Sequence, residues 1–343
     1  MGDWSVDDEG DLSDLLGIEF FNSGGAITLT QTAYIAKLVR EHLADHVPPE
    51  VQKNQPPCDK DIVTLVDAAL DNECELSTAE IRKYQSIVGA LLYCATNTRP
   101  DVAYSVGMLC RAMGRPTADL QRSAERVLQY LYRTREIGLT YEPSGKELYG
   151  MSDSDWATRH STTGWVFMLN QAALSWGSKK QPSVALSSCE AEIMAASEAA
   201  KEAVYLARLA HEFGLRGDGP LDLHVDNKAA IDVSYNPEHH TRMKHVERRH
   251  FFVRECVENH TLRVPFVSTV DNFADFFTKA LAGPQFFKLR DAIMNIGPRS
   301  DAPPVMRLRG GVENRGGSSV TTGGVAAPVT HASRPKGDSD VSS

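Results

Sequence analysis

The sequence predicts an α/β protein: a mixed five-stranded sheet with flanking helices over residues 146–298, preceded by a mostly helical region over 1–145. Three observations point there. Between 146 and 298, five short runs of strand character alternate with helical stretches, three of the runs coming in succession before the first long helix, which is the order of a layered α/β unit. Ahead of that, apolar residues recur at helical spacing. From 299 onward large apolar residues nearly vanish in favour of Gly, Ser, Pro, Thr and Ala, so 299–343 is expected to be a disordered tail that cannot bury enough surface to offset chain entropy.

In the first region, SAERVLQYLYRTRE carries Val127, Leu128 and Leu131 at helical spacing, with Pro116 and Thr117 just ahead where a helix start belongs. AEIRKYQSIVGALLYCAT places Tyr84, Ile87, Leu91 and Leu92 on one stripe, a second helix. Pro48 to Asp71 is polar, contains prolines and lacks periodicity, and reads as a loop or linker. In the second region, ELYGMSDSDWA, TGWVFMLN and AALSWGSK read as three strands. A long helix follows through EAEIMAASEAAKEAVYLARLAHEFG, ended by Gly214. LDLHVD is a strand, NKAAIDVSY and KHVERRHFFVRECVEN are helices, TLRVPFVST is a strand and NFADFFTKAL a final helix.

The six cysteines are scattered without a CxxC pair, which argues against a zinc site or a disulfide framework and fits a reducing, intracellular setting. The acidic start, MGDWSVDDEGDLSDLLG, lacks the apolar core of a signal peptide. No apolar run approaches the roughly 18 residues of a membrane span, so no membrane partner is expected. The formal net charge of −9 is unusual for a nucleic-acid binder, but the basic groups are gathered. Arg242, Lys244, Arg248, Arg249 and Arg254 are opposed nearby only by Glu247 and Glu255.

Four carboxylates stand where predicted elements begin or end: Asp153 in the first strand, Glu192 early in the long helix, Asp226 at the end of LHVD and Asp275 in NFAD. Acids on separate elements can meet only at one edge of a folded sheet. Such an oxygen cluster suits magnesium or manganese, and its mutual repulsion calls for a divalent ion. Glu190 and Glu192 lie about 200° apart on a helix, so they cannot share a site. Ser187 and Glu190 fit a capping box, which leaves Glu192 free. Asp153 and Asp155 share a strand face, and periodicity does not choose between them. With 45 Asp and Glu in the chain, ordinary surface carboxylates are the competing reading for each.

These residues resemble the copia-type retrotransposon Pol polyproteins. MSDSDWA resembles their S-D-A-D-W-A, STTGWVF their K-S-T-S-G-Y-V-F, and LSWGSKKQPSVALSSCEAEIMA their I-S-W-x-S-K-K-Q-x-x-V-A-L-S-S-T-E-A-E-Y-x-A. HVDNKAAI, NPEHHTRMKHVERRHFFVRE and VSTVDNFADFFTKAL follow in order. The resemblance implies a ribonuclease H-like sheet over 146–298, with metal-binding and catalytic acids at Asp153, Glu192, Asp226 and Asp275, and so prefers Asp153 to Asp155. Asn272 precedes Asp275 as in the N-x-x-D of related ribonucleases H. LLGIEF, QTAYIAKLV and YQSIVGALLYCATNTRPDVAYSVGMLCRAM resemble the end of the reverse transcriptase, which makes 1–145 a thumb or connection remnant. Leu120 stands where the family usually has His, and the polymerase Tyr-x-Asp-Asp motif is missing, so no polymerisation is expected from this chain.

The resemblance implies hydrolysis of the RNA strand of an RNA–DNA hybrid with two Mg2+ ions, Mn2+ being an alternative, leaving 5′-phosphate and 3′-hydroxyl ends. RNA selectivity must use the 2′-hydroxyl and the groove shape, for which Ser152, Ser154 and Asn227 are candidates, against strand-end and helix-cap polar groups; Asn272 is a further substrate-binding candidate. Lys244, Arg248 and Arg249 are candidates for the phosphate backbone, against a solvated helix face. Trp156, Trp165 and Trp176 are expected in the core. The implied partners are the hybrid and the rest of a reverse transcriptase polyprotein, in a cytoplasmic virus-like particle or the nucleus. Two other classes compete. One is a catalytically silent remnant that only binds nucleic acid or serves structurally. The other is an integrase-like transferase, disfavoured because its acids run D, D, E whereas Glu192 is second here.

Overall fold

The computed structural model of the chain describes residues 10, 12–43, 55–143, 145, 147–156, 161–217, 219–235 and 247–297, with 247–251 by backbone alone. The expected tail, 299–343, lies outside the described residues.

The first region is helical around a small sheet that the sequence reading missed. Strands β1 (Asp14–Leu15), β2 (Ile18–Ser23), β3 (Ala26–Thr30) and β4 (Leu139–Tyr141) form an antiparallel sheet in that order. Gly24 and Gly25, both at positive φ, make the two-residue turn that joins β2 to β3 with Ser23 opposite Ala26. Helices α1 (Thr32–His42), α2 (Ile62–Asp71), α3 (Thr78–Asn97), α4 (Ala103–Cys110) and α5 (Ala118–Arg133) come between β3 and β4 along the chain. Helix α2 falls inside the stretch expected to be a loop. Ile62, Val66 and Ala69, spaced by four and three, supply its buried stripe. Ser77 and Glu80 close a reciprocal capping box on α3, and the Thr117 hydroxyl accepts the Leu120 N–H at the start of α5. Between α3 and α4 the fully buried Arg99 meets Asp101 through two hydrogen bonds of 2.9 and 2.7 Å. Tyr130 of α5 donates to the same carboxylate at 2.7 Å, so the buried charges are mutually satisfied.

The second region carries β5 (Tyr149–Asp155), β6 (Thr162–Leu169), β7 (Ala172–Lys180), α6 (Ser188–Glu212), β8 (Leu221–His224), α7 (Lys228–Tyr235), α8 (Glu247–Glu258), β9 (Leu262–Arg263) and α9 (Gly283–Ile293). The strands form one sheet in the order β7-β6-β5-β8-β9. β5, β6 and β7 pair antiparallel, whereas β8 joins β5 and β9 in parallel, so the sheet is mixed as expected. Two expectations change. NFADFFTKAL is a 3-10 turn over Phe273–Phe277, and the last helix is α9, beyond it. TLRVPFVST pairs only through β9 and an isolated bridge from Val225 to Phe266.

Alternation along β6 divides the core in two. Trp165 and Phe167 face α6, in a cluster with Ile193, Ala200 and Leu223. Val166 and Met168 point the other way and share a cluster with Val106, Leu109, Phe276 and Phe286. Alanines at 196, 199, 200, 203 and 207 let α6 lie close on β5 and β6. The opposite face is covered by α4, α9 and the 3-10 turn, so the helices of the first region belong to the core of the sheet.

Candidate metal centre

Parallel pairing sets two acids side by side. β5 and β8 are in register at Met151 and His224, and two residues further along each chain come Asp153 and Asp226, at the carboxyl edge of the sheet. A third acid arrives from α6. The Ser187 hydroxyl accepts the Glu190 N–H at 3.2 Å, and the Glu190 carboxylate accepts the Leu186 N–H at 2.7 Å. Glu190 is thereby spent on the helix start, with Leu186 rather than Ser187 as its backbone partner. Glu192 stands on the other side of the helix and faces the sheet. Oxygens of Asp153, Glu192 and Asp226 lie within 4.8 Å of one another. Asp155 shares the strand face of Asp153 but sits at the exposed strand end, outside this group.

The three acids crowd one another with little solvent. Burial, then Asp153 and Asp226, push Glu192 up to about 9, while Ser154 beside it pulls the other way. Burial, then Asp275, raise Asp153 to about 7, against the pull of Thr278 and Lys279. Glu192 Oε2 is buried without a hydrogen-bond partner. Three crowded hard oxygen donors that resist ionising together fit a divalent cation such as magnesium or manganese, whose charge would replace the held protons.

The fourth predicted acid is adjacent but differently engaged. Asp275 is buried in the 3-10 turn, and its Oδ1 meets Lys279 Nζ at 2.9 Å. Among the described residues the group that can share one ion is the other three. The link to Asp275 is Thr278, whose hydroxyl donates to Asp153 Oδ2 at 2.5 Å. Thr278 and Lys279 went unremarked in the sequence, although they follow Asp275 by three and four residues, the spacing that brings neighbours together on a helical turn.

Over 207 residues, 59% of the chain, the sequence is 38% identical to the retrovirus-related Pol polyprotein from transposon TNT 1-94 of Nicotiana tabacum. The chain thus matches a segment of the retrovirus-related Pol polyproteins of copia-type transposons. The match spans only 16% of that tobacco Pol polyprotein. The chain is also 47% identical over 128 residues to secreted RxLR effector protein 161 of Plasmopara viticola, covering 36% of this chain and 90% of that one. No family model matches the chain. A ribonuclease H1 from Halobacterium salinarum NRC-1 aligns with 38% of this chain and 93% of its own, at 15% identity and a TM-score of 0.28. The ribonuclease H-like fold of this chain is read from its own sheet, the mixed order β7-β6-β5-β8-β9 with α6 on one face.

Several residues expected to meet substrate are engaged internally. Asn272 is buried. Its amide nitrogen donates to the Ser152 carbonyl at 3.1 Å and its oxygen accepts the Ala274 N–H at 3.1 Å. It is a positioning residue, pinning the 3-10 turn to β5. Ser152 is fully buried, and Asn227 caps α7 by accepting the Ala230 N–H at 3.1 Å. Ser154 is half-buried against Glu192. Lys244 lies outside the described residues; Arg248 and Arg249 lie on α8, described there by backbone. Arg254 is buried and donates to the Val233 carbonyl at 2.9 Å, so it leaves the basic surface group. Trp165 is core and Trp176 half-buried, its indole N–H donating to the Ala95 carbonyl at 2.7 Å. Trp156 departs from expectation: it is 51% exposed, because β5 ends there and only its indole N–H is held, by the Ala185 carbonyl. Among the described residues no helix is long and apolar enough to cross a membrane.

Proposed function

We propose that this chain is a ribonuclease H, a metal-dependent endonuclease hydrolysing the RNA strand of RNA–DNA hybrids. The observation that carries the reading is the convergence of Asp153, Glu192 and Asp226, from two parallel strand ends and one helix, into a buried oxygen cluster. Asp153, Glu192 and Asp226 would hold the divalent cation, Mg2+ or Mn2+, with Asp275 beside them. Such ions, when bound, activate water and stabilise the leaving oxygen of a phosphodiester.

The chain's own residues do the rest. Thr278 fixes the Asp153 carboxylate and Asn272 fixes the turn that bears Thr278. Glu190 holds the first turn of α6 and so aims Glu192. The half-buried Ser154 and Asn227, beside the acids, are the groups from which 2′-hydroxyl contacts are proposed. Lys244, Arg248 and Arg249 are proposed for the phosphate backbone. The other proposed partner is the remainder of a reverse transcriptase polyprotein.

The test is cleavage of a labelled RNA–DNA hybrid, with duplex RNA and duplex DNA as controls, with and without Mg2+. Metal-dependent cutting of the hybrid alone is expected. Asp153→Asn and Glu192→Gln should each lower it at least ~10²-fold, the scale for losing a group that organises a metal, while folding survives because repulsion is relieved. Wild-type rates in either variant sink the assignment.

A further inference from the structure

One cation already stands at the acid edge. Lys279 Nζ lies 2.9 Å from Asp275 Oδ1, and its side chain is 40% exposed while that of Asp275 is 5% exposed. The pair is placed by the chain itself. Asn272 pins the turn to β5, Thr278 ties it to Asp153, and Lys279 follows Thr278 directly. Asp153 feels both groups, repelled by Asp275 and attracted by Lys279. Asp155, at the strand end, feels the same two groups. The remaining acids, Glu192 and Asp226, belong to the three-carboxylate group that excludes Asp275.

We propose that Lys279 is a built-in cation that keeps Asp275 out of the metal set, so that the free protein offers one divalent site and a second ion must displace Lys279 Nζ from Asp275. The proposal deepens the metal-centre reading above and rests on it. A half-exposed lysine on four single bonds can swing to solvent, whereas the buried Asp275 cannot follow it. Lys279 thus acts as a gate on the second ion, opened by an added positive charge or by whatever draws the ammonium away. A phosphate oxygen of the substrate backbone has the charge to do so.

The test is Mn2+ titration of the purified full chain, without nucleic acid, followed by calorimetry and by the spin resonance of free Mn2+. The wild type should take up one ion before the second. Lys279→Met should bind the second ion up to about fivefold tighter, the upper scale for releasing a part-exposed ion pair. Lys279→Arg should behave as wild type. Lys279→Met combined with Asp275→Asn should return to a single ion, and this variant carries the test if Lys279→Met alone folds poorly. Equal stoichiometry and equal affinities in wild type and Lys279→Met overturn the gate while leaving the one-ion centre standing. No uptake by the wild type, matching Asp153→Asn, overturns the metal centre and the gate together.

Discussion

Asp153 and Gly164 face each other across the antiparallel β5–β6 pair, and the side chain that Gly164 lacks is the space Thr278 occupies to reach Asp153. A Cβ at Gly164 would lie 2.6 Å from Thr278 Cγ2 and 2.8 Å from the Ala274 carbonyl oxygen. One of these contacts is backbone, so the 3-10 turn itself would have to lift. Gly164→Ala is therefore expected to cost about 1–3 kcal/mol, as overpacking does, and to lower hybrid cleavage beyond what the stability loss explains. Thermal melts and cleavage rates check it, with Gly217→Ala as the control at a position where nothing crowds the added methyl. An unchanged cleavage rate would detach the turn from the site.

The buried acids give the metal-free protein a pH signature. Glu192 and Asp153 are raised to about 9 and about 7, above their ordinary 4.5 and 3.8. The folded state then holds protons that the unfolded chain has released, so this contribution to stability is present at low pH and lost as pH rises through roughly 4 to 9. In a chelator, the melting temperature should fall between pH 6 and pH 8.5, less steeply in Glu192→Gln. Mg2+ should raise it more at pH 8.5 than at pH 6, because binding releases those protons. Equal metal stabilisation at both pH values would argue against ion binding by these two acids.

Much of this site was legible in the sequence because its parts are local. LHVD and MSDSDW are strand ends, and S-x-x-E before a helix assigns Glu190 to the cap by geometry alone. What was not legible depended on approach between distant segments. Gly164 reads as a weak strand residue until Thr278 and Ala274 press on it. The turn at Asp275 reads as a helix because apolar residues three apart suit both a 3-10 turn and an α-helix. The exposure of Trp156 depends on what covers the end of β5, which no periodicity encodes.

The boundary at 145/146 is best proposed as one of sequence resemblance and not of folding. Met168, Ala172 and Ala173 of the sheet pack in one cluster with Val106 and Leu109 of α4. Trp176 donates to the Ala95 carbonyl at 2.7 Å and Tyr141 to the Ala173 carbonyl at 2.6 Å. Residues 146–298 expressed alone would expose that apolar face. They should show secondary structure without a cooperative melt, or aggregate, and cleave far less than the full chain. Cooperative melting with full-chain activity would make 146–298 an independent domain.

The last expectation concerns grip on the substrate in a chain whose formal net charge is −9. Arg248 and Arg249 lie on α8, which packs on α6 and α7. If both meet phosphates, changing both to Ala should weaken hybrid binding and make its salt dependence shallower by about two units, roughly 0.9 per lost contact on a B-form duplex. The rate at saturating hybrid should change little, because backbone contacts position the duplex. Arg254→Ala is the informative companion. Its guanidinium donates to the Val233 carbonyl, so its loss should lower the melting temperature and leave the salt slope alone. Circular dichroism must show the double variant folded, since aliphatic stems also pack. An unchanged salt slope in a folded double variant makes this face of α8 a solvated one and moves the phosphate contacts elsewhere.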